Sequence, residues 1–397
     1  MFLHDNFKEQ YRVQVRLVWP LSRWLAATAR IAASRNKRNP SVNMADNAML
    51  IVGAGAIGMA CGYHLSRAGV AVTYLVRPES VGKVQPPVLL YNYDDHETKV
   101  FHSYRLTSYA EELGDRTFDF VIVTLDGAAC RSREGSDLIR RVAHATRDGQ
   151  APWIIAGVGS GLREHFLALT GFSENRLLEG SLGMLCHQVE DWNFPPHPGT
   201  DNQRLADCRF AYRHFPNRVG FMLAASPKKA AREFAILYNG GTDSRCQMMS
   251  LTSYRVLSNM LYPLFATCEI RGWPRTDELA RDRKSWRECC RAMNQIACLH
   301  LSFAGRLLFP VLFRPWLYLM LLRKLERDCT PLDFHHFNRF HHGAKVLAQD
   351  IQIMENAIRE GEARGRDMRA VRRILGRLKR HFEQTGNAGA DLIGAWV

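Results

Sequence analysis

The chain has 397 residues, enough for two domains, and 46% of them are hydrophobic, enough to form a core in each. Its formal net charge of +14 is spread over both ends of the chain, and without a DNA- or RNA-binding signature we do not expect nucleic acid as a partner. The ten cysteines include no C-x-x-C pair and no zinc-ligand spacing, which argues against a metal site and indicates reduced thiols in a cytoplasmic protein.

The first segment, residues 1–43, contains six arginines and few acidic residues. It has no uninterrupted apolar core of the kind that a secretory signal requires. We expect a disordered basic extension, or translated upstream sequence in front of an effective start at Met44. An Arg-rich organelle presequence is the alternative.

Residues 49–77 carry the clearest structural motif of the chain. A short apolar run leads into the turn of residues 53–58, which reads GAGAIG, and a helical pattern and a second apolar run follow. This order predicts a strand, a tight turn, a helix and a strand, with the G-x-G-x-x-G pattern of dinucleotide-binding βαβ units. A unit of the same kind that has lost its ligand is the alternative.

Each glycine of this turn has a predicted function. Gly53 permits the sharp bend, Gly55 leaves room for a pyrophosphate against the backbone, and Gly58 lets the helix pack closely on the strand. The start of the helix offers free N–H groups and the positive end of its dipole to phosphate groups. The cofactor-binding residues predicted here are Gly53, Ala54, Gly55, Ala56, Ile57 and Gly58.

The second strand ends at Arg77, where NAD-binding units usually carry an acidic residue for the ribose 2′-hydroxyl. A guanidinium forms bidentate bonds to phosphate, so Arg77 predicts NADP(H), with its additional 2′-phosphate, as the cofactor. Glu79 lies close by and opposes this interpretation. An ordinary surface arginine is the alternative.

Strand and helix patterns alternate up to about residue 245, which predicts an α/β fold. The apolar run at 118–125 is typical of a buried parallel strand. A second glycine turn, GVGSG at 157–161, follows a predicted strand at 153–158. Other strands are expected as a pair at 88–93 and 99–106 and within 176–186 and 208–223, and helices at 137–146, 162–169 and 227–238.

From Ser250 onward the pattern becomes helical. Apolar residues share one face of a late helix at 347–358, and residues 368–382 form a basic amphipathic helix. We therefore predict a Rossmann-type, doubly wound NADP-binding domain over residues 44–247. An all-helical domain, for substrate binding or dimerisation, is predicted over residues 248–397.

Residues 307–322 are very apolar but are broken by Pro310, Arg314 and Pro315, so they make a poor transmembrane helix. We expect buried core or a subunit contact here, and a homodimer is left open. Contact with a membrane surface is the less favoured alternative.

The run HHFNRFHH at residues 335–342 would place His335 and His342 on one helix face. No carboxylate or cysteine stands at ligand spacing within the run. We therefore expect a helix surface or a part of the substrate cleft, and no metal.

Taken together, these features resemble the ketopantoate reductase (2-dehydropantoate 2-reductase-like) family. The matching segments span residues 49–380 and read IVGAGAIG, LVRP, VIVTLD, GVGSG, NMLYPL and QDIQIMENAIREGEARG. The resemblance implies a Rossmann domain that binds NADPH and a helical domain that closes over it, with a 2-keto acid reduced in the cleft. It also implies that Thr124, Leu125, Asp126 and Val158 lie beside the cofactor.

The chain departs from the family pattern at several residues expected near the substrate. A family lysine is replaced by Asp126, a family asparagine by Val158, and the catalytic lysine falls near Tyr254, beside Arg255. The acidic residue of the late helix falls on Asp350. The resemblance therefore implies Tyr254 as the proton donor, Asp350 as the residue that positions it, and a substrate other than ketopantoate.

We thus predict an NADPH-dependent oxidoreductase that reduces the carbonyl group of a small molecule, a 2-keto acid or a related compound, to an alcohol. The first alternative is a non-catalytic NADP-binding protein that has lost the catalytic lysine of the family. The second is an opine- or hydroxyacid-dehydrogenase-like enzyme with the same two-domain plan.

Overall fold

The structure is a computed structural model that describes residues 47–385, apart from residues 115, 194 and 242. The predicted basic extension, residues 1–43, lies outside the described part of the chain.

The predicted βαβ unit is present. It consists of β1 (Ala48–Val52), α1 (Ala56–Arg67) and β2 (Ala71–Leu75), and the two strands are parallel neighbours. The chain turns out of α1 at Gly69, whose φ of 83° is a left-handed conformation that glycine adopts without strain. The glycine that follows the helical pattern therefore marks the end of the helix.

The unit lies within an eight-stranded sheet. In spatial order the strands are β5 (Tyr104–Thr107), β2, β1, β6 (Phe120–Val123), β7 (Trp153–Ile155), β8 (Leu177–Leu182), β11 (Val219–Ala224) and β12 (Arg245–Met249). The first six are parallel to one another. At the far edge, β11 is antiparallel to β8, and β12 is parallel to β11. The buried parallel strand predicted at 118–125 is β6.

Alternate residues of β1 enter two different hydrophobic clusters, because successive side chains of a strand point to opposite faces of the sheet. Met49 and Ile51 pack in a cluster with residues of α1 and of α7 (Lys228–Tyr238). Leu50 and Val52 pack with residues of α4 (Arg133–Ala145) and α5 (Leu162–Thr170). Helices therefore cover both faces of the sheet, which makes the domain doubly wound, as predicted.

A second, four-stranded sheet shares a hydrophobic cluster with α1. Its spatial order is β4 (Glu97–Phe101), β3 (Val88–Asn92), β10 (Phe210–His214) and β9 (Met184–Gln188). The single strand predicted over 99–106 is wrong in its second half, because β4 ends at Phe101 and β5 begins in the other sheet at Tyr104. The alternating pattern continues on both sides of this break, so periodicity does not show the change of sheet.

Beyond β12, the described chain is helical, as predicted. The helices are α8 (Leu251–Asn259), α9 (Tyr262–Ile270), α10 (Thr276–Arg281), α11 (Arg283–Leu299), α12 (Phe303–Leu312), α13 (Pro315–Cys329), α14 (Phe334–Phe340), α15 (Leu347–Ala363) and α16 (Arg369–Thr385). Short helices within the α/β part are α2 (Pro78–Val81), α3 (Gly127–Arg131) and α6 (Asn202–Ala206). All described residues belong to one compact unit, and the predicted boundary at residue 247 stays a prediction.

The late helices pack as their patterns predict. One hydrophobic cluster contains Leu347, Ile351, Met354 and Ile358 of α15 and Val371, Leu375 and Leu378 of α16. The cluster also contains Tyr262 and Phe265 of α9. The apolar face of each helix is therefore buried against its neighbours, which is the arrangement that stabilises an amphipathic helix.

Helices α12 and α13 differ from the expectation for residues 307–322. Pro310 lies within α12, no residue of α12 is buried, and the two helices are bent by 78° at residues 313 and 314. The expectation of buried core is wrong for most of this stretch, because no residue of α12 is buried and only Leu317, Tyr318 and Leu322 of the stretch are. Within the described residues, no single helix is long and apolar enough to cross a membrane. The bent pair of α12 and α13 together reaches the length and apolar composition of a membrane span.

Candidate functional site

The first glycine turn leaves an open space at its middle glycine. Gly53 has a φ of 103°, and a Cβ added to Gly58 would lie 2.2 Å from the Gly53 carbonyl oxygen, so neither position accepts a side chain easily. A Cβ added to Gly55 would meet no protein atom within 4 Å. The backbone at Gly55 is therefore accessible to a ligand, whereas Gly53 and Gly58 serve the turn itself.

The start of α1 is a helix N-terminus without a side-chain cap. Gly55 is the N-cap residue, and the N–H of Met59 donates to the Gly55 carbonyl oxygen at 2.9 Å. The N–H groups of Ala56, Ile57 and Gly58 precede this bond and have no partner within the helix. Together with the positive end of the helix dipole, they form the arrangement that binds phosphate groups in dinucleotide sites.

Two further turns lie beside the first, at the carboxyl ends of β6 and β7. The Thr124 hydroxyl donates hydrogen bonds to the carbonyl oxygens of Val52 at 3.1 Å and Gly53 at 3.0 Å. A Cβ added to Gly157 would lie 2.8 Å from the Leu125 carbonyl oxygen. The structure therefore brings the first glycine turn, Thr124, Leu125 and the second glycine turn together at one edge of the sheet.

Arg77 follows β2, on the opposite side of β1 from β6 and β7. Its side chain is 78% exposed, and its Nε lies 3.3 Å from a carboxylate oxygen of Glu79. The guanidinium thus lies at the same edge of the sheet as the first glycine turn. Its contact with a 2′-phosphate stays a prediction.

Asp126 caps α3, the short helix that begins at Gly127. Its carboxylate accepts a 2.8 Å hydrogen bond from the Ala129 N–H. The Gly127 N–H donates to the side-chain oxygen of Gln349 on α15 at 2.6 Å, and a Cβ on Gly127 would lie 2.6 Å from the Val158 carbonyl oxygen. The carboxylate of Asp126 is therefore engaged by a helix start, while Gly127 joins the sheet edge to the helical region.

The second glycine turn forms part of the wall of a cavity of about 740 Å³. This volume suits a small-molecule ligand. Of the predicted site residues, Val158 and Tyr254 line the cavity, and the others do not. The remaining lining comes from β8, α3, α5 and the helical region and includes Arg131, Glu179, Arg255, Ser258, Asn259, His300, Asn356, Arg359 and Glu360.

The cavity has an excess of cationic side chains, because five arginines and three glutamates line it. Arg255 is neutralised by Glu179, which it contacts through two hydrogen bonds of 3.0 and 2.5 Å. Arg131 instead donates to two backbone carbonyl oxygens, those of Gly127 at 3.3 Å and Ser160 at 2.8 Å. Burial lowers the pKa of Arg131 from its ordinary value. Arg131 and Arg359, which bonds to the side chain of Asn356, are therefore cavity cations without an ion pair to a carboxylate among the described residues.

Tyr254, on α8, borders the cavity but is almost completely buried. Its hydroxyl makes no hydrogen bond of normal geometry, although the Ser181 hydroxyl is close enough to lower the pKa of Tyr254. Burial has the larger effect and raises the pKa of Tyr254 above its ordinary value. A proton donor at this position is therefore a weaker acid than an exposed tyrosine.

Asp350 lies outside the cavity, in a buried pair with His342. Its Oδ2 lies 2.8 Å from Nδ1 of His342, and its Oδ1 has no hydrogen-bond partner in the described structure. Burial raises the pKa of Asp350 and lowers the pKa of His342 to about 3. Burial raises the pKa of Tyr262, and the charges of Asp350 and Tyr254 add to this effect. Among the hydrogen bonds of the described structure, Asp350 is held by His342 and none joins it to Tyr254.

The histidines of residues 335–342 have separate contacts. His335 Nε2 lies 2.5 Å from a carboxylate oxygen of Glu326, and the ring of His342 stacks on Phe265 with a centroid distance of 3.8 Å. His335 and His342, which the sequence would place on one helix face, therefore contact different carboxylates, Glu326 and Asp350.

Comparison with known proteins agrees with this geometry. Residues 49–129 match the family model described as ketopantoate reductase PanE/ApbA. This match confirms the resemblance to the ketopantoate reductase family. No curated protein matches the chain.

Solved structures share the fold over most of the chain. A 2-dehydropantoate 2-reductase from Geobacter metallireducens has a TM-score of 0.60 at 16% identity, covering 84% of this chain and 99% of that chain. A PanE/ApbA family ketopantoate reductase from Ralstonia eutropha has a TM-score of 0.58 at 14% identity, with coverages of 86% and 100%. D-mandelate dehydrogenase, in a structure with NADH and anilino(oxo)acetate, has a TM-score of 0.60 at 12% identity, with coverages of 85% and 98%. At these identities the likeness shows the fold alone.

Within the ketopantoate reductase fold, the chain has site residues that the sequence pattern did not single out. Arg131 lines the cavity, His342 contacts Asp350, and Gln349 accepts a hydrogen bond from Gly127, the residue after Asp126. Two features of the sequence could have pointed to these residues: Arg131 lies in the helix that Asp126 caps, and Gln349 is next to Asp350. Both signals are weak, because the contacts are made across long separations in the chain.

Proposed function

We propose that the protein is an oxidoreductase that uses NADP(H) to reduce the carbonyl group of a 2-keto acid or related compound to an alcohol. The observation that carries this proposal is the open, uncapped helix start at Gly55, at the edge of the sheet where the cavity also lies. Ligands of doubly wound sheets bind outside the carboxyl ends of the strands. The family match over residues 49–129 supports a nicotinamide cofactor.

The residues at the first glycine turn fit a dinucleotide. The N–H groups of Ala56 and Ile57 would hold the pyrophosphate, and the space in front of Gly55 would admit it. Thr124 and the second glycine turn would border the nicotinamide end, because β1, β6 and β7 are neighbours in the sheet, about 5 Å apart. When bound, the reduced cofactor supplies the hydride, and the chain supplies binding and orientation.

The preference for NADP(H) over NAD(H) rests on Arg77. Its ion pair with Glu79 is exposed, and such pairs contribute about 0–1 kcal/mol. A hydrogen bond to a charged group contributes about 1.5–3 kcal/mol, so a 2′-phosphate would compete successfully for the guanidinium. Glu79 can turn away into solvent because its own side chain is 65% exposed.

The substrate class rests on Arg131. Arg131 forms no ion pair with a carboxylate among the described residues, although the charge of Glu164 raises its pKa, so a substrate carboxylate would bind its guanidinium there. The family lysine that Asp126 replaces would add a second cation. At about 4 Å and an effective dielectric of about 20, one unit charge pair amounts to about 4 kcal/mol. Loss of that cation supports a substrate other than ketopantoate.

Tyr254 is the proton donor in this proposal. It lines the cavity beside the second glycine turn, and its hydroxyl would protonate the alkoxide oxygen that hydride transfer forms. The hydroxyl is buried, so contact with a substrate requires a small movement of the ring or of α8. Asp350, predicted to position the donor, lies outside the cavity and is bonded to His342, so its effect on Tyr254 would be indirect.

A non-catalytic NADP-binding protein is the second candidate function. Among the described residues that line the cavity there is no lysine, and burial makes the Tyr254 hydroxyl a weak acid. Both observations favour a protein that kept the cofactor site and lost the proton donor of the family. Binding of NADPH is common to the two candidates, and turnover separates them.

The test is consumption of NADPH by the full-length protein with a panel of 2-keto acids, aldehydes and ketones. We expect saturable turnover of at least one 2-keto acid. Arg131→Gln should raise KM for that substrate and leave NADPH affinity unchanged, whereas Arg140→Gln, at a half-exposed position on α4, should change neither. Tight NADPH binding without turnover of any compound would favour the second candidate, and absence of binding would reject both.

A further inference from the structure

Helices α12 and α13 carry an unusual concentration of exposed apolar side chains. Seven of the twelve large hydrophobic residues that are exposed in the described structure lie between residues 303 and 321. They form what we call the apolar ridge: Phe303, Leu307, Leu308, Val311, Trp316, Met320 and Leu321, with exposed fractions of 39–70%. Single exposed hydrophobic residues are normal, but a cluster of this kind marks a surface that contacts another body.

The ridge follows helical periodicity. Phe303, Leu307 and Val311 recur every four residues on α12, and Trp316 and Met320 do so on α13. Each helix therefore presents an apolar stripe to the outside. Neither helix alone is long and apolar enough to cross a membrane, and the stripes lie on their exposed sides, so the ridge is suited to lie on a surface.

A row of arginines borders the ridge. A groove of about 780 Å³ beside α12 is lined by the ridge residues Phe303 and Leu307 and by five arginines, which we call the arginine rim: Arg287, Arg291, Arg306, Arg314 and Arg366. No carboxylate of the described chain forms an ion pair with these five. The one acidic residue of the groove, Asp367, is already bound by Arg369 through two hydrogen bonds. With five arginines and only Asp367, whose charge also interacts with Arg291, the groove has a net positive charge next to exposed apolar side chains.

We infer that the apolar ridge and the arginine rim dock the protein on an anionic lipid surface. Apolar side chains from one face of a helix insert at the boundary of head groups and acyl chains, and arginines beside them attract the phosphates and carboxylates of anionic lipids. Trp316 suits such a boundary, because tryptophan has an apolar ring and a polar N–H. This inference is independent of the proposed enzymatic function.

The charge of the rim favours lipid over protein as the occupant. In a dimer with twofold symmetry the same patch faces itself, so the arginines of one copy would approach those of the other. Residues 1–43, with six arginines and few acidic residues, have the same sign of charge as the rim. An anionic membrane surface satisfies the apolar and the charged parts of the patch together.

The experiment is co-sedimentation of the full-length protein with vesicles of phosphatidylcholine, with and without phosphatidylserine. We expect binding to the phosphatidylserine vesicles that weakens as the salt concentration rises. Leu307→Glu should lower the partition coefficient by about tenfold or more, since it removes one inserted leucine. Arg314→Gln should lower it by about fivefold.

Two control variants separate the patch from general basic charge. Ile236→Glu makes the same change in charge at an exposed apolar position of α7, and Lys228→Gln removes an exposed cation from the same helix. Both should alter binding by less than about twofold. All four positions are exposed or lie on the surface, so thermal unfolding should show folded protein in every case. Equal losses for Leu307→Glu and Ile236→Glu would overturn the inference, as would no binding of the wild type or a dimer that Leu307→Glu dissociates.

Discussion

The side-chain oxygen of Gln349 accepts a 2.6 Å hydrogen bond from the backbone N–H of Gly127, across 222 positions of the chain. Gln349 is buried at the start of α15, and Gly127 follows Asp126 at the carboxyl edge of the sheet. The bond ties the helical region to the strand end on which the second glycine turn also rests. It therefore holds two parts of the candidate site in a fixed relation.

Gln349→Leu should lower the free energy of unfolding by about 1–3 kcal/mol, because the Gly127 N–H is left buried without an acceptor. Gln349→Glu keeps an acceptor and should cost less. Urea unfolding measures both, and Gln203→Leu, at an exposed position on α6, should change stability by no more than about 0.5 kcal/mol. Equal losses for the Leu and Glu variants would show that the hydrogen bond does not carry the effect.

Arg77→Ala should weaken NADPH binding by about 1.5–3 kcal/mol and leave NADH binding nearly unchanged, because only NADPH has a 2′-phosphate for the guanidinium. Glu79→Gln should hold or improve NADPH affinity, since it removes the carboxylate that competes for Arg77. Calorimetric titration of each protein with both nucleotides measures the preference. Equal affinity of the wild type for NADPH and NADH would reject this role of Arg77.

Tyr254→Phe keeps the ring and removes only the hydroxyl. Turnover of a substrate found in the panel should fall by about 10²–10⁴-fold, the range for loss of a general acid, with NADPH affinity unchanged. Tyr318→Phe is the matched control, because Tyr318 is buried outside the cavity and bonded to Asn294 at 2.7 Å. Steady-state kinetics compare the two, and full turnover by Tyr254→Phe would remove Tyr254 from the mechanism.

His187 should make stability depend on pH. Its Nδ1–H donates to the Gln188 carbonyl oxygen at 3.0 Å and its Nε2 accepts from the Tyr93 hydroxyl at 3.1 Å, an arrangement of the neutral ring. Burial lowers the pKa of His187 from 6.5 to about 4. As the pH falls below about 6.5, this histidine becomes protonated in the unfolded chain, but in the folded chain it stays neutral down to about pH 4. The free energy of unfolding therefore decreases as the pH is lowered through this interval.

His187→Gln should reduce the difference in unfolding free energy between about pH 7 and about pH 5, because it removes a histidine whose pKa is lower in the folded chain than in the unfolded chain. His102→Gln, at an exposed position, should leave the difference unchanged. Urea titrations at the two pH values measure it. A wild-type protein that is more stable at the lower pH would contradict the sign of the effect.

The α/β half of the fold is predictable from sequence because each element carries a local signal. β6 is a continuous apolar run, and α5 follows the second glycine turn. In the helical region, the apolar positions of α15 likewise recur at helical spacing. The first glycine turn was predicted down to its individual glycines, since the bend at Gly53 and the close packing at Gly58 depend on backbone geometry alone. These signals act within a few residues and need no tertiary partner.

The contacts that define the cavity are not local, and this is why the sequence did not reveal them. Arg131 is held by the carbonyl oxygen of Ser160, and Gln349 finds Gly127 only when the helical region docks on the sheet. The exposure of Leu307 has the same cause: hydropathy shows that a segment is apolar, but not which of its sides finds a partner. Asp126 acts as a helix cap for a helix that the sequence pattern did not predict.

The most direct measurement is calorimetric titration of NADPH into the full-length wild type and the variants Gly55→Val and Gly58→Val. Gly55→Val should keep the wild-type melting temperature and lose binding, because its side chain enters open space that the pyrophosphate would fill. Gly58→Val should instead destabilise the fold, because its Cβ would lie 2.2 Å from the Gly53 carbonyl oxygen. Wild-type affinity in Gly55→Val, or a wild type that binds neither NADPH nor NADH, would contradict the account.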